Sequence, residues 1–389
     1  KRGDVEHDFD RDPIRTTIED GWMRAAGTTL GADDGIGVAM EMALLESNDI
    51  EHGPIECVFT RDEETGLTGA EGMKGDFMTG RLLINLDSED EGQIFVSCAG
   101  GARTNITYNY SPVSVPAAQF GIKLHIHGLM GGHSGDDIEK GRANANKLLA
   151  RFIHSWGESH EWHLVDINAG GLHNAIPREA TAVIAVPFAE KEAVRVAWNV
   201  FAAAAEDEFG AVEKTMHFDL ESCELPTEMI PDETSHPLFL SLAAVHNGVL
   251  AMCHGINLVE TSSNLANIRI TAPGEITVCT SQRSSVQSAR DAMCAQIRAA
   301  FQLSGGVCDT GEGYPGWKMN PDSKLLKVAV EQYRRLFNAE PLVRGIHAGL
   351  ECGLFSERYP NLDMVSFGPT LRGVHSPDEK LLIPTVDMV

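Results

Sequence analysis

Short apolar runs without polar alternation mark both ends of the chain: IECVFT at 55–60, LLINL at 82–86 and DMVSF at 363–367. A strand wetted on one face alternates apolar with polar residues, whereas one covered on both faces does not. Segments with helical character lie around these runs. DGIGVAMEMALLES at 34–47 has Asp33 and Asp34 at its N-terminal end, and residues 323–337 form an amphipathic stretch. This alternation predicts an α/β domain with a mainly parallel central sheet, covered on both faces.

The middle of the chain reads differently. Residues 121–128 read as a strand, 142–154 as a helix, 162–167 and 180–188 as strands, and 191–209 as a helix. The order then recurs, with strands at 214–220, 264–270 and 275–281 and helices at 237–246 and 286–303. Two successive β-α-β-β-α units predict a doubled α+β module inserted into the α/β domain. The turn Gly313-Tyr314-Pro315-Gly316 marks the return. The division expected is a catalytic domain from 1–102 and 313–389, with an inserted lid domain over 103–312.

A chain of 389 residues is too long for one ordinary core, which agrees with two domains. Lys and Arg number 31 against 56 Asp and Glu, for a net charge of −25. Such a surface repels nucleic acid and anionic lipid, so neither is an expected partner. No apolar run approaches the roughly 18 residues of a membrane helix. The eight cysteines are scattered without a CxxC pair, and Cys57, Cys279 and Cys352 lie in apolar stretches. That usage suits a reducing cytoplasm better than a disulfide framework.

Four loops carry the chemistry: Gly31-Ala32-Asp33-Asp34-Gly35, Asp62-Glu63-Glu64-Thr65-Gly66, Asn85-Leu86-Asp87-Ser88-Glu89 and Gly373-Val374-His375-Ser376-Pro377. Three of them directly follow apolar strand-like runs, and in open α/β sheets such loops converge at the carboxyl ends of strands. Carboxylates with one imidazole and no thiolate suit Zn²⁺ or Mn²⁺. Each loop alone is weak, since an acidic pair in a turn is usually solvated and an aspartate at a helix start is usually a cap. Their joint occurrence, in order, on the loops of one sheet is what points to a metal site.

Specific motifs carry a resemblance along essentially the whole chain. They are GTTLGADDGIGVAM, RDEETGLTGA, LLINLDSEDEGQIFVSCAGG, GGHSGDDI, NAIPREA, IHAGLECGLF, and SFGPT followed by GVHSPDE. The chain resembles the di-zinc metallopeptidase family of aminoacylases, carboxypeptidases and carnosinases, and within it the bacterial dipeptidases that cleave Xaa-His compounds. The resemblance implies two Zn²⁺ per complete subunit, with Mn²⁺ or Co²⁺ able to substitute. It implies that Asp33 bridges the metals, that Glu64 and His375 complete one site, that Asp87 ligates the second, and that Glu63 is the general base. In that chemistry the metals acidify water and polarise the peptide carbonyl, while the carboxylate passes the water's proton to the leaving amine.

The same resemblance makes His133 of Gly-Gly-His-Ser-Gly the lid histidine that stabilises the oxyanion. A phosphate loop is not expected there because no Gly-Lys-Ser/Thr follows. Asn264 and Arg283 match residues that hold the substrate backbone and free carboxylate, for which the arginine fork is suited. Glu351 matches a motif near the catalytic centre and is carried as a substrate-contact residue, with His347 bordering the pocket. His125 and His127 alternate on one strand, a spacing that could put both on one face to ligate metal, but no acidic loop lies beside them in this order of elements, so a packed or exposed strand face is expected.

One departure stands out. Relatives carry a His-x-Asp segment on the strand before Asp33, whose histidine ligates the second metal. This sequence begins at Lys1, just downstream of where that segment belongs, and reads as a fragment. His7-Asp8-Phe9 lies in a polar stretch that resembles the region after the motif. The expectation is that this piece alone binds at most one zinc well and is nearly inactive.

The function expected is hydrolysis of Xaa-His and other dipeptides, including β-alanyl-histidine. A deacylase that removes acyl or succinyl groups from amino acids on the same scaffold stays open, as does a non-catalytic homologue. In many relatives the oxyanion histidine comes from a partner's lid, which implies a homodimer, whereas a doubled lid implies one chain imitating the partner. Both stay open.

Overall fold

The computed structural model describes residues 1–389 apart from Arg2, Asp4, Thr65 and Gly255, so Thr65 of the second acidic loop lies outside the described residues. The chain divides into two compact units, one of Lys1–Cys98, Gly316–Ile346 and Leu350–Val389, the other of Ala99–Pro315 and His347–Gly349. No helix among the described residues is long and apolar enough to cross a membrane, nor do the described cysteines form a disulfide.

The first unit is built on a four-stranded sheet in the order Leu342–Ile346, Gln93–Cys98, Asp363–Ser366, Leu82–Asn85. The outer two pairings are parallel, and the central contact, Ser366 to Phe95, is antiparallel. Successive residues of one strand face opposite ways. Val365 therefore packs with Ile94 and Val96 against Leu325, Leu326, Ala329 and Val330 of the helix Lys324–Phe337. Met364 packs instead with Cys352, Leu354 and Phe355 of the helix Glu351–Arg358. The α/β class read from the apolar runs is thus the class observed.

One element differs. Residues 55–60 form no strand, and Ile55 and Phe59 are exposed. An apolar run supplies surface to bury, but a strand also needs a neighbouring edge for its backbone N–H and C=O groups. A small antiparallel sheet, ordered Thr16–Glu19, Trp22–Ala25, Lys380–Leu382, Leu371–Arg372, ties the segment before Asp33 to the two that flank His375.

The second unit is built on a nine-stranded antiparallel sheet in the order His217–Cys223, Gln119–His127, Ala180–Pro187, His163–Gly170, Val259–Ala272, Glu275–Ser284, Gly100–Asn109, Val307–Thr310, with Gly248–Met252 paired to Val259–Ala272. The strands of both β-α-β-β-α runs therefore share a single sheet. Its inward residues, among them Ile106, Ile122, Leu124, Ile126, Leu164 and Ile268, form one core with Phe152, Trp198, Phe239 and Phe301 from the helices Ala145–Gly157, Lys191–Phe209, Asp232–Ala244 and Gln287–Gln302. The helix expected over 237–246 starts earlier, at Asp232, because Asp232 and Glu233 in its first turn complement the helix dipole.

Candidate active site

The two parallel strands Leu82–Asn85 and Asp363–Ser366 end side by side, and their following loops lock together. Ser366 Oγ donates to Asn85 Oδ1 at 2.6 Å and lies 2.6 Å from Ser88 Oγ. A Cβ on Gly368 would sit 1.9 Å from the carbonyl oxygen of Ser88, so only glycine fits in SFGPT. Asp87 is held between these contacts.

Asp33 follows Gly31, which adopts φ 72°. Asp33 and Asp34 leave helical geometry at the start of the helix Ala32–Glu46, and the peptide between them is cis. Glu379 holds this loop from beneath. One of its oxygens accepts from the N–H groups of Leu30 and Gly31 at 2.7 and 2.9 Å, the other from Ala32 and Asp33 at 2.8 and 3.2 Å. Asp34 Oδ1 accepts from Gly37 N at 3.0 Å. A side chain on Gly37 would collide with that carboxylate, which accounts for the second glycine of DGIG.

The Glu63–Glu64 loop is a tight turn. Leu67 N donates to the carbonyls of Asp62 and Glu63 at 2.9 and 3.1 Å, and Leu67 itself has φ 61°. His375 sits at φ 59°, a backbone region that is costly for a residue with a Cβ. Its Nε2 lies 2.8 Å from Glu64 Oε2 and 3.1 Å from Asp33 Oδ2. One donor atom from each of these three residues lies within 4.8 Å of the others. Three loops distant in sequence thus present two carboxylates and an imidazole to one point.

The surroundings are strongly acidic. Burial, then the charges of Glu64, Glu351 and Asp33, push Glu63 up to about 7. Burial raises Asp34 to about 7 as well, and neighbouring Asp33, Glu41 and Glu351 add to it. Asp87 is raised well above the usual carboxylate range by burial and by Asp33, Asp34 and Glu63. Glu64 and Glu89 are raised by burial and by Asp33. For His375 burial works downward, but Glu64 and Asp33 outweigh it and raise the imidazole. Glu351 is buried, accepts from Thr60 Oγ1 at 2.9 Å, and leaves Oε1 without a hydrogen-bond partner among the described residues. So many carboxylates around one imidazole destabilise their own charged forms. A divalent cation is what such a site accommodates, and oxygen donors with one nitrogen fit Zn²⁺ or Mn²⁺.

A second polar cluster lies within the other unit. His133 sits on the two-residue strand Gly132–His133, paired to Ala175–Ile176. The glycines around it are required: a Cβ on Gly132 would meet Arg142 and Asp137, and one on Gly135 would lie 2.2 Å from the carbonyl oxygen of His347. Nε2 of His133 is 3.3 Å from Arg283 Nη2, and Nδ1 is 3.6 Å from Asp136 Oδ2. Arg283, also buried, donates from Nη1 to Tyr314 Oη at 3.1 Å, while its Nε has no partner among the described residues. His347 is buried with Nε2 2.7 Å from Ser262 Oγ and, among the described residues, nothing on Nδ1. Burial, with Arg283 adding, pushes its imidazole down to about 3, so it is neutral. Asn264 is buried and donates to the carbonyl oxygen of Ala175 at 2.8 Å, fixing the strand that pairs with His133.

The structure therefore gathers Asp33, Glu64 and His375 into one cluster, sets Glu63, Asp87 and Glu351 in its acidic surroundings, and gathers His133 and Arg283 into another. Asp34, Glu89 and Tyr314 entered the sequence analysis only as loop or turn residues without a role, and Glu379, Asp136 and Ser262 were given none. Glu379 had a faint signal, as the closing acid of the HSPDE segment that begins with His375.

Known proteins resemble this chain along most of its length. The model of Peptidase family M20/M25/M40 matches residues 3–387. The cytosol non-specific dipeptidase of Escherichia coli (strain K12) is 39% identical over 389 residues, covering 99% of this chain and 80% of that protein. The crystal structure of aminoacylhistidine dipeptidase from Vibrio alginolyticus superposes with a TM-score of 0.94 at 39% identity, over 100% of this chain and 79% of that one. Aminopeptidase PepT from Bacillus cereus shares the fold, with a TM-score of 0.50 at 17% identity over 96% of this chain and 73% of that one. A mixed α/β fold with clustered carboxylates and an imidazole is the build of a metallopeptidase. The chain belongs to peptidase family M20/M25/M40 and is a hydrolase acting on peptide bonds.

Proposed function

We propose that this chain is a zinc-dependent dipeptidase that hydrolyses Xaa-His and other dipeptides with a free amino end, and that it works in the cytoplasm. The observation that carries the reading is the meeting of Asp33, Glu64 and His375 at one point, with Glu63 next in sequence to a ligand and half-buried. The dipeptide substrate rests on likeness to the Escherichia coli dipeptidase along nearly the whole chain. The compartment rests on the word cytosol in that relative's name and on cysteines without disulfides.

Asp33, Glu64 and His375 would hold one zinc, and Asp33 with Asp87 a second, with Mn²⁺ or Co²⁺ as substitutes. Bound there, the metals supply Lewis acidity that polarises the scissile carbonyl and lowers the pKa of water. Glu63 takes a proton from the water whose oxygen attacks the carbonyl carbon. It then gives that proton to the leaving nitrogen as the C–N bond breaks. His133 is assigned to the oxyanion, Arg283 to the substrate's free carboxylate, Asn264 to its backbone and Glu351 to a further substrate contact.

The test is a substrate panel on metal-stripped full-length protein reloaded with zinc, using Ala-His, β-alanyl-His, a control dipeptide and succinyl-diaminopimelate. Zinc-dependent cleavage of the dipeptides is expected. Cleavage of the succinyl compound alone would replace the reading with a deacylase, and no cleavage at all would favour a non-catalytic homologue.

A further inference from the structure

A second cluster of metal-donor side chains lies on the outer face of the large sheet. In the strand Gln119–His127, Leu124 and Ile126 point into the core, so His125 and His127 point away from it. The adjoining strand, His217–Cys223, pairs antiparallel with this one and forms the edge of the sheet. Its register sets Asp219 directly opposite His125 and His217 directly opposite His127. Three imidazoles and a carboxylate therefore occupy the corners of one cross-strand square, where opposed Cβ atoms stand about 4.5–5.5 Å apart. The two histidines thus lie on a half-exposed strand face, as expected, but an acid stands beside them: it arrives from the neighbouring strand, which separate loops in the sequence do not reveal.

The side chains stand close enough together for one ion to gather them. The rings of His125 and His127 stack at 4.4 Å, and His217 stands 5.2 Å from His127. His127 Nε2 is 2.8 Å from Asp219 Oδ2, and Glu179 Oε2 flanks His125 Nε2 at 3.8 Å. Donor atoms of His125, His127 and Asp219 all lie within 4.8 Å of one another. Tetrahedral ligands at bond lengths of about 2.0–2.1 Å stand about 3.3 Å apart, so a small rotation of half-exposed rings closes the set. The backbone that carries them is regular paired strand, which fixes every Cβ beforehand. A net charge of −25 also concentrates cations at the surface.

We propose that His125, His127 and Asp219 bind a divalent transition-metal ion of the Zn²⁺, Ni²⁺ or Cu²⁺ class, at a site separate in sequence and side chains from the peptidase centre, with His217 available as a fourth ligand. Imidazole with carboxylate and without thiolate selects these borderline ions over Mg²⁺ or Ca²⁺. The ion bridges two strands, so it clamps the edge strand of the sheet onto its neighbour. An ion that binds only the folded state stabilises that state by mass action.

The test uses full-length protein stripped of metal and dialysed against Zn²⁺ alone. Wild type is expected to bind one more ion per chain than the double variant His125→Ala/His127→Ala, whose dipeptidase activity is unchanged. Glu64→Ala is expected to retain this ion and its share of the rise in melting temperature that zinc produces, whereas the double variant loses that share and keeps the rise due to the peptidase centre. If the double variant does not fold, Asp219→Asn serves instead. Its site affinity should fall by more than the roughly 10-fold to 100-fold that loss of an outer-shell partner costs. Equal zinc stoichiometry and equal thermal shifts in wild type and variants would overturn the proposal, whatever the peptidase assay shows.

Discussion

Glu379, only 3% exposed, accepts the backbone N–H of Asp33 at 3.2 Å and so fixes the loop that presents the Asp33 carboxylate. The same carboxylate takes the N–H groups of Leu30, Gly31 and Ala32, and thus satisfies four consecutive donors with two oxygens. A buried charge surrounded by donors is stabilised by them, and the donors in turn lose their partners if it is removed.

Glu379→Gln keeps the size but leaves a single acceptor oxygen for four N–H groups. Folding stability is expected to drop by about 1–3 kcal/mol, the usual cost of stranded buried donors. Zinc affinity should fall roughly 10-fold to 100-fold, as for other residues that orient metal ligands. Equilibrium dialysis and urea unfolding check both; unchanged zinc affinity would limit Glu379 to a structural role.

His375→Ala removes the imidazole from the cluster with Asp33 and Glu64. Zinc bound at the peptidase centre should be lost and dipeptide turnover with it. Elemental analysis after dialysis reads the outcome, with the His125/His127 double variant as the control that keeps turnover.

Arg283 donates through Nη1 and Nη2 to Tyr314 and His133, a fork that lysine cannot reproduce. Arg283→Lys is expected to raise KM for Ala-His by about tenfold or more, and to affect the C-terminally amidated dipeptide much less. An equal effect on both substrates would detach Arg283 from the carboxylate.

His347 gives a pH prediction. Buried against Ser262 and facing Arg283, it does not take a proton until about pH 3. In the unfolded chain a histidine titrates near 6.5, so between these values the unfolded state binds more protons. Stability from this residue is full above about pH 6.5 and falls as pH drops toward 3, by up to about 1.4 kcal/mol per unit. Unfolding at about pH 5 and about pH 7 should show a shallower slope for His347→Gln than for wild type.

The sequence was most informative where one residue type had one physical use. DMVSF reads as a buried strand, and the structure places Val365 and Met364 on opposite covered faces. The glycines of GGHSG mark close approaches, to Arg142 and Asp137 at Gly132 and to His347 at Gly135. It was least informative where tertiary pairing decides. IECVFT had the composition of a strand but no ladder. Glu379 had no assigned role within HSPDE, because Gly31, one of its four donors, lies 348 positions earlier in the chain. Asp219 beside His125 depends on strand register, which neither strand states alone.

The central claim is that Glu63 moves the proton in a reaction carried out at the Asp33–Glu64–His375 centre. Turnover of Ala-His by Glu63→Gln, measured at zinc occupancy equal to wild type, tests it most directly. The expected result is a fall of roughly 10²-fold to 10⁴-fold, the span that general-base catalysis contributes. Near-normal turnover with the zinc in place would contradict it.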